Sequence, residues 1–109
     1  MKSLYGQYIE ELANKEIIED DRGFITYLFM DDGCYVEDIF VIKEHRNNGV
    51  AREMLDKVSV IAKEKGYKKL IGTVIPSYKD STYRLQAALS YGFQLDSSRQ
   101  NLIVYVKGL

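Results

Sequence analysis

The sequence predicts a mixed α/β fold, in which helices pack on a mostly antiparallel sheet. Residues 35–42 are apolar and β-branched, as expected of a buried strand. Residues 50–65 carry apolar side chains at helical spacing, which predicts a helix with one apolar face. Polar turn residues separate the other apolar segments. The expected order is therefore helix, three strands, helix, strand, helix, two strands (α-β-β-β-α-β-α-β-β).

Length and composition limit the classes of protein to which the chain can belong. A chain of 109 residues predicts one domain, residues 1–109, that buries roughly two-thirds of its unfolded surface. The 15 Lys and Arg nearly balance the 16 Asp and Glu, so charge gives no argument for a nucleic acid or an anionic membrane as partner. One cysteine and one histidine allow no internal disulfide and argue against a metal site.

The N-terminal segment shows no signal-peptide core. The longest apolar run, near residues 24–30, is too short to span a bilayer. These two observations predict a cytoplasmic protein.

The first half of the chain is expected to form a helix and a three-stranded meander. Ser3 is placed to cap a helix that runs to about Lys15, with Tyr5, Tyr8, Ile9 and Leu12 on one face. Strands are expected at residues 16–19, 24–30 and 34–42, because turn residues at 20–23 and 31–33 separate them. Consecutive strands joined by tight turns pair antiparallel.

The second half is expected to alternate helix and strand before a final strand pair. The helix from Val50 should end at Gly66, and Pro76 should end the strand at residues 70–75. Asp80 or Ser81 is expected to cap a helix that runs to about Tyr91. Strands at residues 93–95 and 101–106 would flank a polar turn at 96–100.

Residues 46–51, Arg-Asn-Asn-Gly-Val-Ala, form the turn between the central strand and the long helix. The first N–H groups of a helix have no internal partner, and the helix dipole makes that end positive. Gly49 allows the backbone to approach a ligand closely, and Arg46 adds a cation. The turn is therefore suited to a phosphate or pyrophosphate. It is neither a Walker loop nor a dinucleotide fingerprint, since the required Gly-Lys-Ser/Thr and triple-glycine spacings are absent from the sequence.

This turn matches the R/Q-x-x-G-x-G/A signature, and the chain from about Glu16 to Leu109 resembles the GNAT family of N-acetyltransferases. The resemblance implies acetyl-coenzyme A as acyl donor. It implies that backbone amides of the strand serve the pantetheine and the acetyl carbonyl, and that the turn holds the pyrophosphate. The positions that correspond to the strand are Ile39, Phe40 and Val41, and those of the turn are Arg46, Asn47, Asn48, Gly49, Val50, Ala51 and Arg52. Arg46 would either contact a phosphate or lie on the surface near the turn.

Glu37 is the first choice for a general base. The strand Tyr-Val-Glu-Asp-Ile-Phe-Val that contains it is similar to the corresponding strand of spermidine/spermine acetyltransferases, in which this glutamate is assigned that role. A carboxylate on a mostly apolar central strand costs free energy of folding unless it is paired with a cation or has a catalytic role. The alternatives are that Glu37 pairs with a neighbouring Lys or Arg or points to solvent. Asp38 is the second choice, since neighbouring residues of a regular strand face opposite ways and a bulge at Ile39 would change which carboxylate faces the cleft.

The later part of the family signature is only partly present. Ser81 stands where the family usually has an asparagine at the start of the late helix, and Arg84, three residues on, would reach the cofactor phosphates or be solvated. Ala88 stands where the family usually has a tyrosine that protonates the leaving thiolate, and alanine has no proton to give. Tyr78, Tyr83 and Tyr91 lie nearby without the family spacing.

The resulting prediction is an acetyl-coenzyme A-dependent N-acetyltransferase that transfers acetyl to a primary amine by direct attack in a ternary complex. The acceptor would be a small molecule, a polyamine or a protein amine. The alternative is a catalytically degenerate module that binds coenzyme A or a protein partner without turnover. A homodimer is also expected, because the short N-terminal region would leave apolar surface to cover.

Overall fold

The computed structural model describes residues 2–77, 79 and 81–109, without the side chains of Ser81, Tyr83 and Arg99. The predicted order of elements is confirmed, and a short 3₁₀ turn at Lys43–His45 is added. In chain order the elements are α1 (Leu4–Leu12), β1 (Glu16–Asp20), β2 (Gly23–Met30), β3 (Gly33–Val41), α2 (Val50–Glu64), β4 (Lys69–Val74), α3 (Ser81–Tyr91), β5 (Gln94–Arg99) and β6 (Leu102–Gly108).

The six strands form a mixed, mostly antiparallel sheet in the order β1-β2-β3-β4-β6-β5. Between β3 and β4 the pairing is parallel and short, and it joins Cys34, Tyr35 and Val36 to Leu70, Ile71 and Gly72. Beyond Val36, β3 remains paired to β2 on its other side. The edge of β3 that faces β4 therefore lacks a strand partner there among the described residues, and the sheet opens into two halves.

The hydrophobic core lies between the sheet and the helices α2 and α3. Ile25, Cys34 and Leu70 from the sheet pack in one cluster with Met54 and Val58 from α2. The apolar residues of α2 recur at helical spacing, so burying them in one stripe orients the whole helix. No helix in the described part of the chain is both long and apolar enough to cross a membrane.

Helix α1 lies on the opposite face of the sheet, where Tyr5 contacts Phe24. The predicted cap is confirmed, since Ser3 Oγ accepts a hydrogen bond from the Gly6 N–H at 2.9 Å. The predicted apolar face is wrong in part, because Leu12 is 75% exposed while Ile9 is buried. The helix ends at Leu12, short of Lys15, and lies against the edge strand β1, so the sheet covers only one side of it.

The C-terminal strands are longer than the sequence predicts. The polar residues 96–99, expected in a turn, belong to β5, and the turn falls at residues 100–101. Strand β5 is at the sheet edge and carries an extra residue, Asp96, between the pairs made by Leu95 and Ser97. An exposed edge strand tolerates polar side chains and bulges, so it lacks the alternating pattern that marks half-buried strands.

Candidate active site

A cleft of about 730 Å³ opens where β3 and β4 separate. The unpaired edge of β3 forms one wall, and α3 together with Tyr105 of β6 forms the other. The N-terminus of α2 and the turn before it close one end. The cleft therefore brings together the turn and the strand that the sequence identifies as a candidate site.

The turn before α2 adopts a conformation that leaves the start of the helix uncapped. Asn47 and Gly49 both have left-handed backbones, with φ of 65° and 78°. The first helical hydrogen bond runs from the Glu53 N–H to the Gly49 carbonyl at 3.0 Å, and no described side chain caps the helix. The N–H groups of Val50, Ala51 and Arg52, in the first turn of α2, therefore have no acceptor within the helix.

Space for a ligand exists at this helix end. A Cβ built on Gly49 would meet no atom of the described residues within 4 Å. Free N–H groups, the positive end of the helix dipole and open space together suit a phosphate group.

Three arginines line the cleft and bring positive charge to it, while Glu37 is the acidic residue among the lining residues described. Arg46 Nε donates to the Val41 carbonyl at 2.9 Å, and its guanidinium lies 5.8 Å from the centre of the Phe40 ring. Arg52 Nη2 donates to the Ser90 carbonyl at 3.3 Å. This excess of cations favours an anionic ligand.

Strand β3 has a bulge, and it lies at Glu37, two residues before Ile39, the position considered from the sequence. Thr26 pairs with Asp38 and Tyr27 pairs with Val36, so Glu37 is an extra residue without a cross-strand partner in β2. The Asp38 N–H donates to Thr26 Oγ1 at 3.1 Å. A bulge reorients the side chains next to it.

The two carboxylates consequently lie in different surroundings. Glu37 lines the cleft and is exposed. Of the alternatives given for it, the structure agrees with a side chain that points to solvent. Asp38 is absent from the lining residues described, and its Oδ1 lies 3.8 Å from Arg84 Nη2. Arg84 Nη2 also lies 3.5 Å from the Glu37 carbonyl oxygen, so this side chain reaches across from α3 to β3.

Two tyrosines line the cleft in addition to Ala88, which lies in the wall without a proton to give. The Tyr91 hydroxyl donates to Asp56 Oδ1 at 2.6 Å, and burial together with this bond raises the pKa of Tyr91. Tyr105 is half-buried, and burial raises the pKa of its hydroxyl. The positive charge of Arg84 lowers this pKa, but by less than burial raises it. Tyr105 is not among the residues predicted from the sequence. The sequence does contain a signal for it, because Gly72 is a glycine inside a strand, which indicates that another group packs closely against the backbone there.

Most of the predicted site residues line this cleft, and a few do not. Asn48 and Asp38 are not among the lining residues, and the Ser81 side chain lies outside the part of the chain that is described, as do Tyr78 and Asp80. The predicted residues that line the cleft are Glu37, Ile39, Phe40, Val41, Arg46, Asn47, Gly49, Val50, Ala51, Arg52 and Arg84.

Solved structures share this fold. The PaiA N-acetyltransferase of Thermoplasma acidophilum, in complex with coenzyme A, has a TM-score of 0.76 at 15% identity, over 97% of this chain and 69% of its own. A GNAT acetyltransferase of Elizabethkingia anophelis with acetyl-CoA bound has a TM-score of 0.72 at 22% identity, over 100% and 84%. An acetyltransferase of the GNAT family from Staphylococcus aureus Mu50 has a TM-score of 0.72 at 17% identity, over 99% and 80%.

These identities are low, so the structures establish the fold alone. No curated protein sequence matches the chain. The family model described as Acetyltransferase (GNAT) family matches residues 11–92, which is well over half of the chain. The resemblance drawn from the turn and its setting is thus confirmed at the level of the family. The chain belongs to the acetyltransferase (GNAT) family.

Proposed function

We propose that this protein transfers the acetyl group of acetyl-coenzyme A to a primary amine by direct attack in a ternary complex. The observation that carries the proposal is the uncapped N-terminus of α2, which opens into the cleft between the diverging strands. Coenzyme A is present in the related structures from T. acidophilum and, as acetyl-CoA, E. anophelis. An anion site at the end of a long cleft is what such a donor requires.

The donor would be held mostly by main-chain groups. The pyrophosphate would accept hydrogen bonds from the N–H groups at the start of α2, with Arg46 and Arg52 adding charge. Arg84, which contacts Glu37 and Asp38, would add charge elsewhere in the cleft. The open edge of β3, at Ile39, Phe40 and Val41, supplies backbone groups for the pantetheine and the acetyl carbonyl. Bound there, acetyl-coenzyme A supplies an activated acyl group, and the protein has to orient the amine and move protons.

Glu37 is the proposed base that takes the proton from the attacking amine. The bulge turns it to the cleft wall, and its exposure allows an amine to approach from solvent. Cys34 is unsuited to act as a covalent nucleophile, because it is fully buried and burial raises the pKa of its thiol to about 11. This supports direct attack by the amine.

The acceptor is proposed to be an amine of a small molecule, a polyamine or a protein. A homodimer is proposed as well, because the helix α1 leaves Leu4 84% and Leu12 75% exposed. The cytoplasmic location stays a prediction from the sequence.

Two measurements with the purified protein test the proposal. Calorimetry with acetyl-coenzyme A should detect binding, and release of free thiol should accompany incubation with at least one amine of a panel containing polyamines, small primary amines and a lysine peptide. Binding without thiol release on any amine would contradict the transferase and favour the non-catalytic module, for which the alanine at position 88 is the motivating observation. Absence of acetyl-coenzyme A binding would contradict the transferase and would leave only a module that binds a protein partner.

A further inference from the structure

We propose that Tyr105 is the proton donor to the thiolate that leaves coenzyme A, in place of the family tyrosine whose position Ala88 occupies. The role rests on the proposed acetyl transfer. It assigns a function to a residue of β6, a strand that carries none of the residues predicted from the sequence.

The position of the Tyr105 ring is fixed by a glycine. Tyr105 pairs with Gly72 of β4, and a Cβ on Gly72 would lie 2.3 Å from Tyr105 Cε2 and 3.0 Å from its hydroxyl oxygen. The ring therefore lies over the backbone of β4 at Gly72, in space that any other residue at position 72 would fill. The Tyr105 hydroxyl therefore extends from β6 over β4, towards β3.

Gly72 is also the place where the two halves of the sheet separate. It pairs with Val36, the last residue of β3 that pairs with β4, and Glu37 follows immediately. Tyr105, Val36 and Glu37 all line the cleft. The phenol thus lies at the point where the strands part, in the same cleft as the residue proposed as the base.

The hydroxyl of Tyr105 is available for chemistry. The Phe93 ring packs edge-on against the Tyr105 ring at 5.1 Å and fixes its orientation. Among the described residues the hydroxyl has no hydrogen-bond partner, whereas the other tyrosine of the cleft, Tyr91, is bonded to Asp56. Burial raises the pKa of Tyr105, so the phenol is protonated throughout the neutral range.

The proton balance of the reaction closes with these groups. The amine nitrogen forms a bond to the acetyl carbon, and its excess proton goes to the Glu37 carboxylate. The bond between the acetyl carbon and sulfur breaks, its electron pair stays on sulfur, and the proton of the Tyr105 hydroxyl moves to that sulfur. Solvent then carries the proton from Glu37 to the Tyr105 phenolate, which restores both groups.

Tyr105→Phe tests the role, because it removes the hydroxyl and keeps the ring over Gly72. Tyr67→Phe is the matched control, since Tyr67 stacks on Phe29 and does not line the cleft. With acetyl-coenzyme A and an accepted amine, Tyr105→Phe should lower kcat about 100-fold, at the lower end of the range for general acid catalysis, and leave KM for the donor unchanged. Tyr67→Phe should behave as the wild type.

The leaving group separates proton donation from packing. An acetyl aryl thioester releases a thiolate that needs no proton, so its rate should differ between wild type and Tyr105→Phe by less than about threefold. An equal loss of rate with both donors would overturn the role of Tyr105 and assign the residue to packing.

A binding measurement gives a second readout that needs no turnover. At pH 9 part of the coenzyme A is thiolate, since a thiol of the cysteine type has a pKa of about 8.5. Calorimetry should show that the wild type prefers coenzyme A over desulfo-coenzyme A by about tenfold, as expected of a hydrogen bond to a charged acceptor. Tyr105→Phe should lose this preference, and its retention would overturn the proposal.

The outcomes distinguish the two proposals. A wild type that releases no thiol with any amine overturns the proposed function and the role of Tyr105 with it. A wild type that turns over, with a Tyr105→Phe variant of equal kcat, overturns only the role of Tyr105.

Discussion

Glu37 and Asp38 are neighbouring carboxylates, and one unpaired residue gives them different surroundings. At the bulge, Glu37 has no cross-strand partner in β2, and the Asp38 N–H donates a hydrogen bond to Thr26 Oγ1. Glu37 therefore borders the cleft, whereas Asp38 lies near Arg84 and Tyr5. In the proposed reaction the base has to meet an amine, and the position of Glu37 in the cleft supports its proposed role.

Replacing each carboxylate by its amide tests that choice. Glu37→Gln should lower kcat about 100-fold with little change in the affinity for acetyl-coenzyme A, because it removes a base and keeps the shape of the side chain. Asp38→Asn should stay within about threefold of the wild type. Steady-state kinetics of thiol release provides both values, and the reverse ranking of the two variants would contradict the assignment.

Gly49 and Gly66 stand just outside the two ends of α2 and form a matched pair for testing the phosphate site. Both have left-handed backbones, with φ of 78° and 89°, and a Cβ on either would meet no described atom within 4 Å. A side chain at either position should therefore cost a similar strain, about 1–2 kcal/mol. Gly49 alone borders the cleft.

Gly49→Glu should weaken coenzyme A binding by about 100-fold or more, equal to about 2.8 kcal/mol, because it places a side chain and a negative charge where the pyrophosphate is proposed to lie. Gly66→Glu should bind coenzyme A as the wild type does. Calorimetry measures both affinities, and circular dichroism checks that both variants fold. Equal affinities for the two variants would contradict the site at α2.

At the level of elements, the contact of β6 with β4 depends on the absence of a side chain at position 72. Gly72→Ala places a methyl group 2.3 Å from Tyr105 Cε2, so the ring must move. We expect a loss of about 1–3 kcal/mol in the free energy of unfolding, as for other overpacked cores. The loss should be much smaller in a Tyr105→Ala background, where the methyl group has room.

Gly108→Ala is the control for that substitution, since its Cβ would meet no described atom within 4 Å and it lies at the end of β6. Its effect should stay within about 0.5 kcal/mol. Urea denaturation of the wild type, Gly72→Ala, Tyr105→Ala, the double variant and Gly108→Ala measures these differences. A full loss in both backgrounds would show that the Tyr105 ring is not what Gly72 accommodates.

Elements with strong local patterns could be predicted from the sequence, and those set by tertiary contacts could not. The apolar stripe of α2 predicts the helix, because periodicity acts locally, and the structure confirms it. The phosphate site at the turn before α2 stays a prediction. The length of β5, the bulge at Glu37 and the approach of Tyr105 depend on neighbouring strands. Tyr105 is an example. Gly72 indicates from the sequence that some side chain packs closely against β4, but the pairing of β4 with β6 is needed to identify that side chain as Tyr105.

At the scale of the whole molecule, the exposed side of α1 bears on the state of assembly. Wild-type protein should show twice the 12.6 kDa chain mass in light scattering if α1 covers its apolar residues against a second copy. Leu4→Glu combined with Leu12→Glu should shift it to the monomer mass, because two buried charges would oppose the interface. Val60→Glu, an exposed position on α2, is the control and should leave the mass unchanged. A monomeric wild type would contradict the dimer.

The two halves of the sheet, β1-β2-β3 and β4-β6-β5, meet along the short pairing of residues 34–36 with 70–72. Cys34 is one of those residues and is fully buried, and burial raises the pKa of its thiol to about 11. At pH 8 the folded thiol is neutral and covered, so alkylation should require the halves to open. Opening restores an ordinary thiol pKa, near 8.5, and with it the reactive thiolate.

A ligand that contacts both walls of the cleft should hold those halves together. Desulfo-coenzyme A has no thiol to compete for the alkylating reagent, and at 100 times its dissociation constant it should stabilise the closed state by about 2.7 kcal/mol. Alkylation of Cys34, followed by mass spectrometry, should therefore slow about 100-fold if every opening that exposes Cys34 releases the ligand. Gly49→Glu should gain no such protection at the same concentration, because its side chain would fill the proposed phosphate site. Unchanged alkylation of the wild type under conditions where calorimetry shows saturation would place the ligand on one half of the sheet and contradict a donor site that spans the cleft.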